Sequence, residues 1–148
     1  MKRFDRTVLG VTLLEIMLVL AIAAMVIVMS IRYYQSATSA QQVNTILQQV
    51  QGIVAAADNY AQPTGTYSGI TSTVIAPLLP SAGLSTPWGC KITITAPSAS
   101  GYTITIGTVP GTICSLLAPK ITASKNLTIS GACTTAAADM VIVYKANP

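Results

Sequence analysis

One stretch near the N-terminus limits what this chain can fold into. From Val11 to Ile31 nearly every residue is apolar, and Glu15 is the only charge between Arg6 and Arg32. About 21 residues of α-helix extend about 31 Å, which matches the hydrocarbon core of a bilayer, about 30 Å thick. A carboxylate at the centre of a membrane helix costs about 2.5–3.5 kcal/mol on insertion scales, so it usually has a partner. The stretch therefore predicts a membrane-spanning helix, 11–31, with one charge that needs an explanation.

The ten residues before this stretch form a short basic leader that ends at Gly10. A conventional secretory signal has its small-residue cleavage site after the apolar core. Here a glycine precedes the core, and the small residues at 37–40 lie inside a helical pattern. Because the short N-terminal side is basic, that side is predicted to be cytoplasmic and the rest of the chain to lie outside. A plain membrane anchor and a conventional cleaved signal remain the alternatives.

The glycine before the apolar run and the glutamate five residues beyond it resemble the type IV prepilin family. The resemblance implies that a prepilin peptidase cuts after Gly10 and N-methylates Val11, the new first residue. Glu15 would then be the assembly residue, which attracts the α-amine of a neighbouring subunit in a dry filament core, where an unpaired charge is heavily penalised. The family often has Phe at the first mature position and Pro where Arg32 stands, so Val11 and Arg32 point to the type IVb members.

The helix is predicted to continue to Ala61. From Ala40 onwards, apolar residues recur at alternating spacings of three and four, which is typical of an amphipathic helix, and no proline interrupts before Pro63. We therefore predict one helix over residues 11–61, about 75 Å long. Its first part, 11–31, is the membrane or filament-core segment, and its second part, 32–61, is amphipathic. The resemblance implies that the second part packs on the domain's own sheet.

The pattern of residues 62–148 predicts a connecting loop followed by a small sheet. The loop covers 62–90, includes a short helix at 73–79, and contains Trp88 as a core anchor. Alternating or continuous apolar runs predict four strands at 91–95, 102–106, 127–130 and 140–144. A short helix is expected at 112–117, capped by Thr112 and closed before Pro119. The continuous apolar character of the last strand predicts a central position with burial on both sides. The fold class is α+β: a long N-terminal helix packed on an antiparallel sheet domain, 91–148.

The chain has three cysteines, and the domain is predicted to lie outside the cytoplasm, where disulfides persist. Cys114 precedes the third strand and Cys133 follows it. A bond between them would close a loop of about 20 residues and stabilise the domain by roughly 3 kcal/mol. The resemblance favours this pair, because in the family such a bond pins the C-terminal region; Cys90 would be free and buried. The pair Cys90–Cys133 remains the alternative.

Charge and composition exclude several function classes. Charged residues make up 8% of the chain, there is no histidine, and the carboxylates are widely spaced, so neither a catalytic cluster nor a metal site is expected. The net charge is +4, but Lys2, Arg3 and Arg6 against Asp5 account for +2 of it. The other basic residues are scattered, so direct nucleic-acid binding is not expected. We predict a protein that is not an enzyme and carries no cofactor.

The resemblance implies a structural role. The precursor would sit in the inner membrane with its C-terminal domain in the periplasm. After cleavage it would polymerise with itself into a surface filament, a type IVb-like pilus for adhesion, conjugation or motility. Its other partners would be the prepilin peptidase and the assembly machinery. A minor pilin or a type II secretion pseudopilin is the first alternative, and a single-pass anchored periplasmic binding domain is the alternative of another class.

Overall fold

The computed structural model describes residues 12–80, 83–131, 133 and 136–146. The elements, in chain order, are α1 (Leu13–Ala61), α2 (Ser72–Ile75) continued by a 3-10 turn (Ala76–Leu78), β1 (Ile92–Thr95), β2 (Gly101–Val109), α3 (Gly111–Thr122), β3 (Leu127–Ser130) and β4 (Ala138–Lys145). The chain divides into two compact units between Ala37 and Thr38. The α+β class predicted from the sequence is confirmed.

The second half of α1 buries one stripe of side chains. Val43, Ile46, Val50, Ile53 and Ala57 are at most 1% exposed and follow one another at spacings of three and four. Leu47 and Val54, which the sequence pattern places on the same apolar side of the helix, are only partly buried and pack against the core beside this stripe. The helix ends at Ala61 as predicted, and the next turn closes with the N–H of Gly65 donating to the Ala61 carbonyl at 2.7 Å.

The sheet is antiparallel throughout, in the order β1-β2-β4-β3. Its inner face is a layer of aligned isoleucines, with Ile92 opposite Ile106, and Ile104 between Ile94 and Ile142. These side chains are at most 6% exposed and join the stripe of α1 in one apolar core. The sheet therefore stabilises the second half of α1 chiefly through apolar burial.

The central position predicted for the last strand is confirmed, because β4 lies between β2 and β3. The prediction that this strand is buried on both faces is wrong. Met140, Ile142 and Tyr144 are buried, whereas Val141 and Val143 on the other face are only partly covered. An unbroken apolar run cannot distinguish the two cases, because β-branched residues favour a strand on either face of a sheet.

The short helix predicted at 112–117 is longer in the structure. It forms α3, Gly111–Thr122, with Pro119 inside it and no side-chain cap from Thr112. A proline inside a helix removes one backbone hydrogen bond. Here Leu117 and Ile121, one turn apart, are both fully buried in the core. Burial of a side chain such as Ile121 contributes about 1.5–3 kcal/mol, which is enough to carry the helix past the proline.

The C-terminal part of the connecting loop is hydrogen-bonded to both α1 and the sheet. Its short helix, predicted at 73–79, is confirmed by α2 and the 3-10 turn. Trp88 is partly buried against the core, as predicted, and its indole N–H donates to the carbonyl of Gly107 at 3.0 Å. On the other side, the Gln49 amide of α1 donates to the Ser85 carbonyl at 2.9 Å. The loop is thereby linked to both the helix and the sheet.

Candidate anchoring and assembly site

The proposed cleavage residues, Gly10 and Val11, lie outside the described residues. Glu15 is in the first turn of α1, and its backbone N–H donates to the side chain of Thr12 at 3.3 Å and to the Thr12 carbonyl at 3.0 Å. Thr12 is therefore the residue that caps the helix. Thr-x-x-Glu at a helix start is the spacing of a capping box, a signal that the sequence interpretation overlooked. It explains why α1 begins at Leu13.

This cap gives Glu15 a local role, but it does not account for the charge. The recorded cap bond uses the backbone N–H of Glu15, and an N-cap is typically worth about 1 kcal/mol. The carboxylate itself stands on an apolar segment, where insertion of a charge costs about 2.5–3.5 kcal/mol. The cost of inserting the charge therefore exceeds the stabilisation from the cap. The carboxylate of Glu15 therefore still needs a counter-charge once water is excluded.

The apolar segment is exposed on all its faces. Between Leu13 and Ile31 the large apolar side chains are from 49% to 78% exposed. The most apolar 18-residue window of α1 has a mean hydropathy of 2.7 and no buried residue. By length and composition α1 can cross a membrane, which suggests membrane anchoring or a signal sequence. The hydroxyl of Ser30 donates to the Val26 carbonyl at 2.8 Å. Because its proton is already hydrogen-bonded within the helix, this side chain can enter an apolar environment without leaving an unsatisfied donor.

Arg32 stands near the far end of the same segment. From residue 12 to residue 37 the charged side chains are Glu15 and Arg32, both exposed, and the structure records no ion pair for either among the described residues. Tyr33 and Tyr34 follow Arg32 and are also well exposed. Aromatic and basic residues at one end of an apolar helix are typical of a membrane–water boundary.

The disulfide favoured from the resemblance is present. Cys114 in α3 is bonded to Cys133, with their Cα atoms 5.6 Å apart, and the bond ties α3 to the segment after β3. Cys90 is free, as expected, but it is only partly buried, so the expectation of a buried thiol is wrong. The bond closes a loop that contains β3, one edge of the sheet.

A second polar cluster, formed by Asp58 and three tyrosines, was not anticipated. The hydroxyls of Tyr67 and Tyr144 both donate to Oδ1 of Asp58, at 2.8 and 3.1 Å. The ring of Tyr102 stacks on that of Tyr144 with centroids 4.8 Å apart. Asp58 in α1 and Tyr144 in β4 are 86 residues apart in sequence. No local pattern could have revealed the cluster, although tyrosines on the inner face of a sheet require polar partners.

The cluster keeps its phenols neutral. Burial, reinforced by the nearby Asp58 carboxylate, raises the pKa of Tyr102 far above its ordinary value of 10.0. Burial, together with the hydrogen bonds that the Tyr67 hydroxyl makes with Tyr144 and Asp58, also raises the pKa of Tyr67. A phenol whose pKa moves away from neutrality is a poor acid or base near pH 7. We therefore interpret the cluster as a structural hydrogen-bond network that joins α1, the loop and β4.

Tyr102 provides a stability prediction. Its hydroxyl is buried without a hydrogen-bond partner among the described residues, so Tyr102→Phe should raise the free energy of unfolding by about 1 kcal/mol at pH 7. Because burial penalises the ionised phenol and so raises the folded-state pKa, the free energy of unfolding is unaffected by this group below pH 10 and falls above it, by about 1.4 kcal/mol per pH unit. The variant should remove that part of the alkaline loss.

Denaturant titration of the full chain in detergent between pH 7 and pH 11 measures both effects. Tyr144→Phe is the matched control, because it deletes a hydroxyl that donates to a carboxylate and should cost about 1.5–3 kcal/mol. Equal losses from the two substitutions would contradict the assignment of the unpartnered hydroxyl to Tyr102.

Comparison with models of known protein families, with curated proteins and with solved structures found no match. The described residues contain no group of three or more His, Cys, Asp or Glu side chains that could hold a metal ion. Asp139 has a structural contact, since its Oδ1 accepts the N–H of Thr108 at 2.8 Å. Thr108 has a positive φ of 47° at the irregularity of β2, so this hydrogen bond supports a strained backbone.

Proposed function

We propose that the chain is a type IV prepilin whose mature form is the structural subunit of a type IVb-like pilus. In this proposal a prepilin peptidase cuts after Gly10 and methylates the amine of Val11. The precursor waits in the inner membrane with residues 38–148 in the periplasm. Assembly machinery then extracts it, and the subunits polymerise through their N-terminal helices into a surface filament.

One observation carries the proposal: α1 is a single helix with two different surroundings. Its residues up to Ile31 expose apolar side chains on every face, whereas from Val43 onwards it buries a stripe against a sheet. A membrane anchor alone would not require the same helix to continue for about 30 more residues into a folded domain. A subunit that transfers its apolar half from lipid to a bundle of identical helices requires this continuity. In either environment the apolar surface is removed from water, which stabilises the assembled state.

Two features of the folded domain support the proposal, namely its few charged residues and its disulfide. Few charges on a secreted domain leave it poorly soluble alone, which suits a surface that neighbours cover. The disulfide between Cys114 and Cys133 closes the region around β3. Covalent closure suits a protein that is pulled from a membrane and then works outside the cell.

The alternatives differ from this proposal in specific features. A pseudopilin often has a calcium site near its C-terminus, but Asp139 already holds the backbone of Thr108, and one carboxylate cannot form such a site. An anchored binding domain would use the open groove of about 410 Å³ that lies between Gln and Thr side chains of α1 and the residues 85–87. That groove is lined without any charged residue. An anchored domain would also have no use for Glu15.

Intact mass spectrometry of the protein from its native host tests the proposal. We expect a mature chain that begins at N-methylated Val11 and is recovered in sheared surface filaments. A chain that still begins at Met1 and stays in the membrane fraction would make it an anchored domain. A start close to Gln41 would mean an exported protein released from its signal, and the proposed function would be wrong.

A further inference from the structure

The two charges of the exposed apolar segment have a fixed geometric relation. Glu15 and Arg32 are 17 residues apart in one continuous helix, which places their Cα atoms about 25 Å apart along the axis. At 3.6 residues per turn they lie about 100° apart around it. They can therefore neither pair within one chain nor both face the same neighbour.

The described side chains between and around them offer no other charge. All other described side chains from residue 12 to residue 37 are uncharged, and those of the apolar segment are exposed. When such helices pack together, each charge loses water and must meet an opposite charge or be strongly penalised. In a bundle of copies of this segment, Glu15 can meet Arg32 or the proposed α-amine of Val11 of another copy, whereas the one anion among residues 12–37 that can meet Arg32 is Glu15 of another copy.

We propose that Arg32 of one subunit pairs with Glu15 of another in the assembled filament, and that this contact sets an axial displacement of about 25 Å between the two helices. The inference rests on the proposed function, since it concerns the packing of the polymer. The two charges lie on different faces, so each helix uses one face towards a subunit ahead and the other towards a subunit behind. A contact of this kind is heterologous and propagates into an open filament instead of closing a dimer.

This pairing differs from contact between Glu15 and the α-amine of a neighbouring subunit. The amine would be four residues from Glu15, so that contact would displace the helices by only about 6 Å. The two pairings therefore predict different neighbours, and the displacement identifies which neighbour is in contact. Before assembly Arg32 would stand at the membrane boundary, where its long side chain reaches water.

A charge exchange in the full chain, expressed with its native assembly machinery, tests the pair. Glu15→Arg and Arg32→Glu should each reduce the filament yield by roughly 100-fold, because each leaves like charges facing one another at every contact. The double variant should recover most of the yield. The amount of cleaved subunit in the membrane is measured in every strain, so that failed insertion or processing is recognised.

Cysteine cross-linking provides a readout that does not depend on yield. In a Cys90→Ser background, Val19→Cys with Ser36→Cys places thiols 17 residues apart, one turn beyond the proposed pair. Oxidation of filaments should give a ladder of covalent multimers. Val19→Cys with Val28→Cys, about 13 Å apart along the axis, is the matched control and should give none.

The outcomes separate the two claims. Normal filaments from Arg32→Glu, or filaments whose Val19 and Ser36 cysteines do not cross-link, overturn the pair and leave the pilin function intact. A double variant that assembles no better than the single variants also overturns it. If the wild-type chain is neither cleaved nor assembled, the proposed function fails and the pair fails with it.

Discussion

Glu15→Gln is expected to reduce filament assembly by roughly 100-fold or more while leaving the protein in the membrane at its normal level. In the proposed filament, the substitution would remove the charge and leave the partner cation unpaired in a dry core, which costs about 3–5 kcal/mol for a buried pair. Membrane insertion should not suffer, because a neutral amide is easier to insert than a carboxylate. Electron microscopy of sheared filaments and immunoblots of the membrane fraction measure the two quantities.

The choice of Gln and a second variant distinguish the charge from the helix cap. Gln serves as well as Glu at the third position of a capping box, so Glu15→Gln preserves the start of α1. Thr12→Ala removes the recorded cap bond, keeps the carboxylate and should cost only about 1 kcal/mol. We expect Thr12→Ala to assemble. If it fails as completely as Glu15→Gln, the glutamate acts through the helix start and its charge has no role in assembly.

Removal of the disulfide should have the largest effect on the folded unit. The bond between Cys114 and Cys133 spans 19 positions, and loop closure of this size contributes roughly 3 kcal/mol to the free energy of unfolding. The double substitution Cys114→Ala and Cys133→Ala should lower that free energy by about this amount, because the unfolded chain regains its freedom. Denaturant titration of the full chain in detergent, with and without reductant, gives the difference.

Changing both cysteines avoids a stray thiol that could pair with Cys90. Cys90→Ser is the matched control: Cys90 is unbonded and partly exposed, so its loss should change stability by less than about 0.5 kcal/mol. Reductant should destabilise the wild type and the control equally and leave the double variant unchanged. A double variant as stable as the wild type would show that the loop around β3 is held by packing alone.

The elements with a clear period could be predicted from the sequence. The apolar run and the alternating spacings of three and four located α1 to within two residues of its observed start and at its observed end, Ala61. Strict alternation located β1, and the third strand was predicted at its observed bounds, Leu127–Ser130. Each of these depends on side chains close in sequence, which is why a single sequence suffices for them.

The features that the sequence did not predict depend on contacts between residues distant in sequence. The stop expected before Pro119 was overridden because Ile121, two residues later, is buried against a core that the short pattern does not contain. The fastening of Asp58 by Tyr67 and Tyr144 joins three separate elements. Of the candidate site, the disulfide pair is confirmed, whereas the assembly role of Glu15 stays a prediction. The cap by Thr12 carried a readable signal that was overlooked.

The place of β4 in the sheet has a consequence for biosynthesis. β4 is the last of the described strands, yet it separates β2 from β3 and is the strand with which β3 pairs. Until β4 is available, the chain therefore presents the β1–β2 hairpin and an unpaired β3 segment. A truncation after Ala138 would remove most of this central strand, with Met140, Ile142 and Tyr144 from the core. A chain that lacks β4 would thus remain recognisably unfolded, and in the proposed filament it could be degraded before assembly.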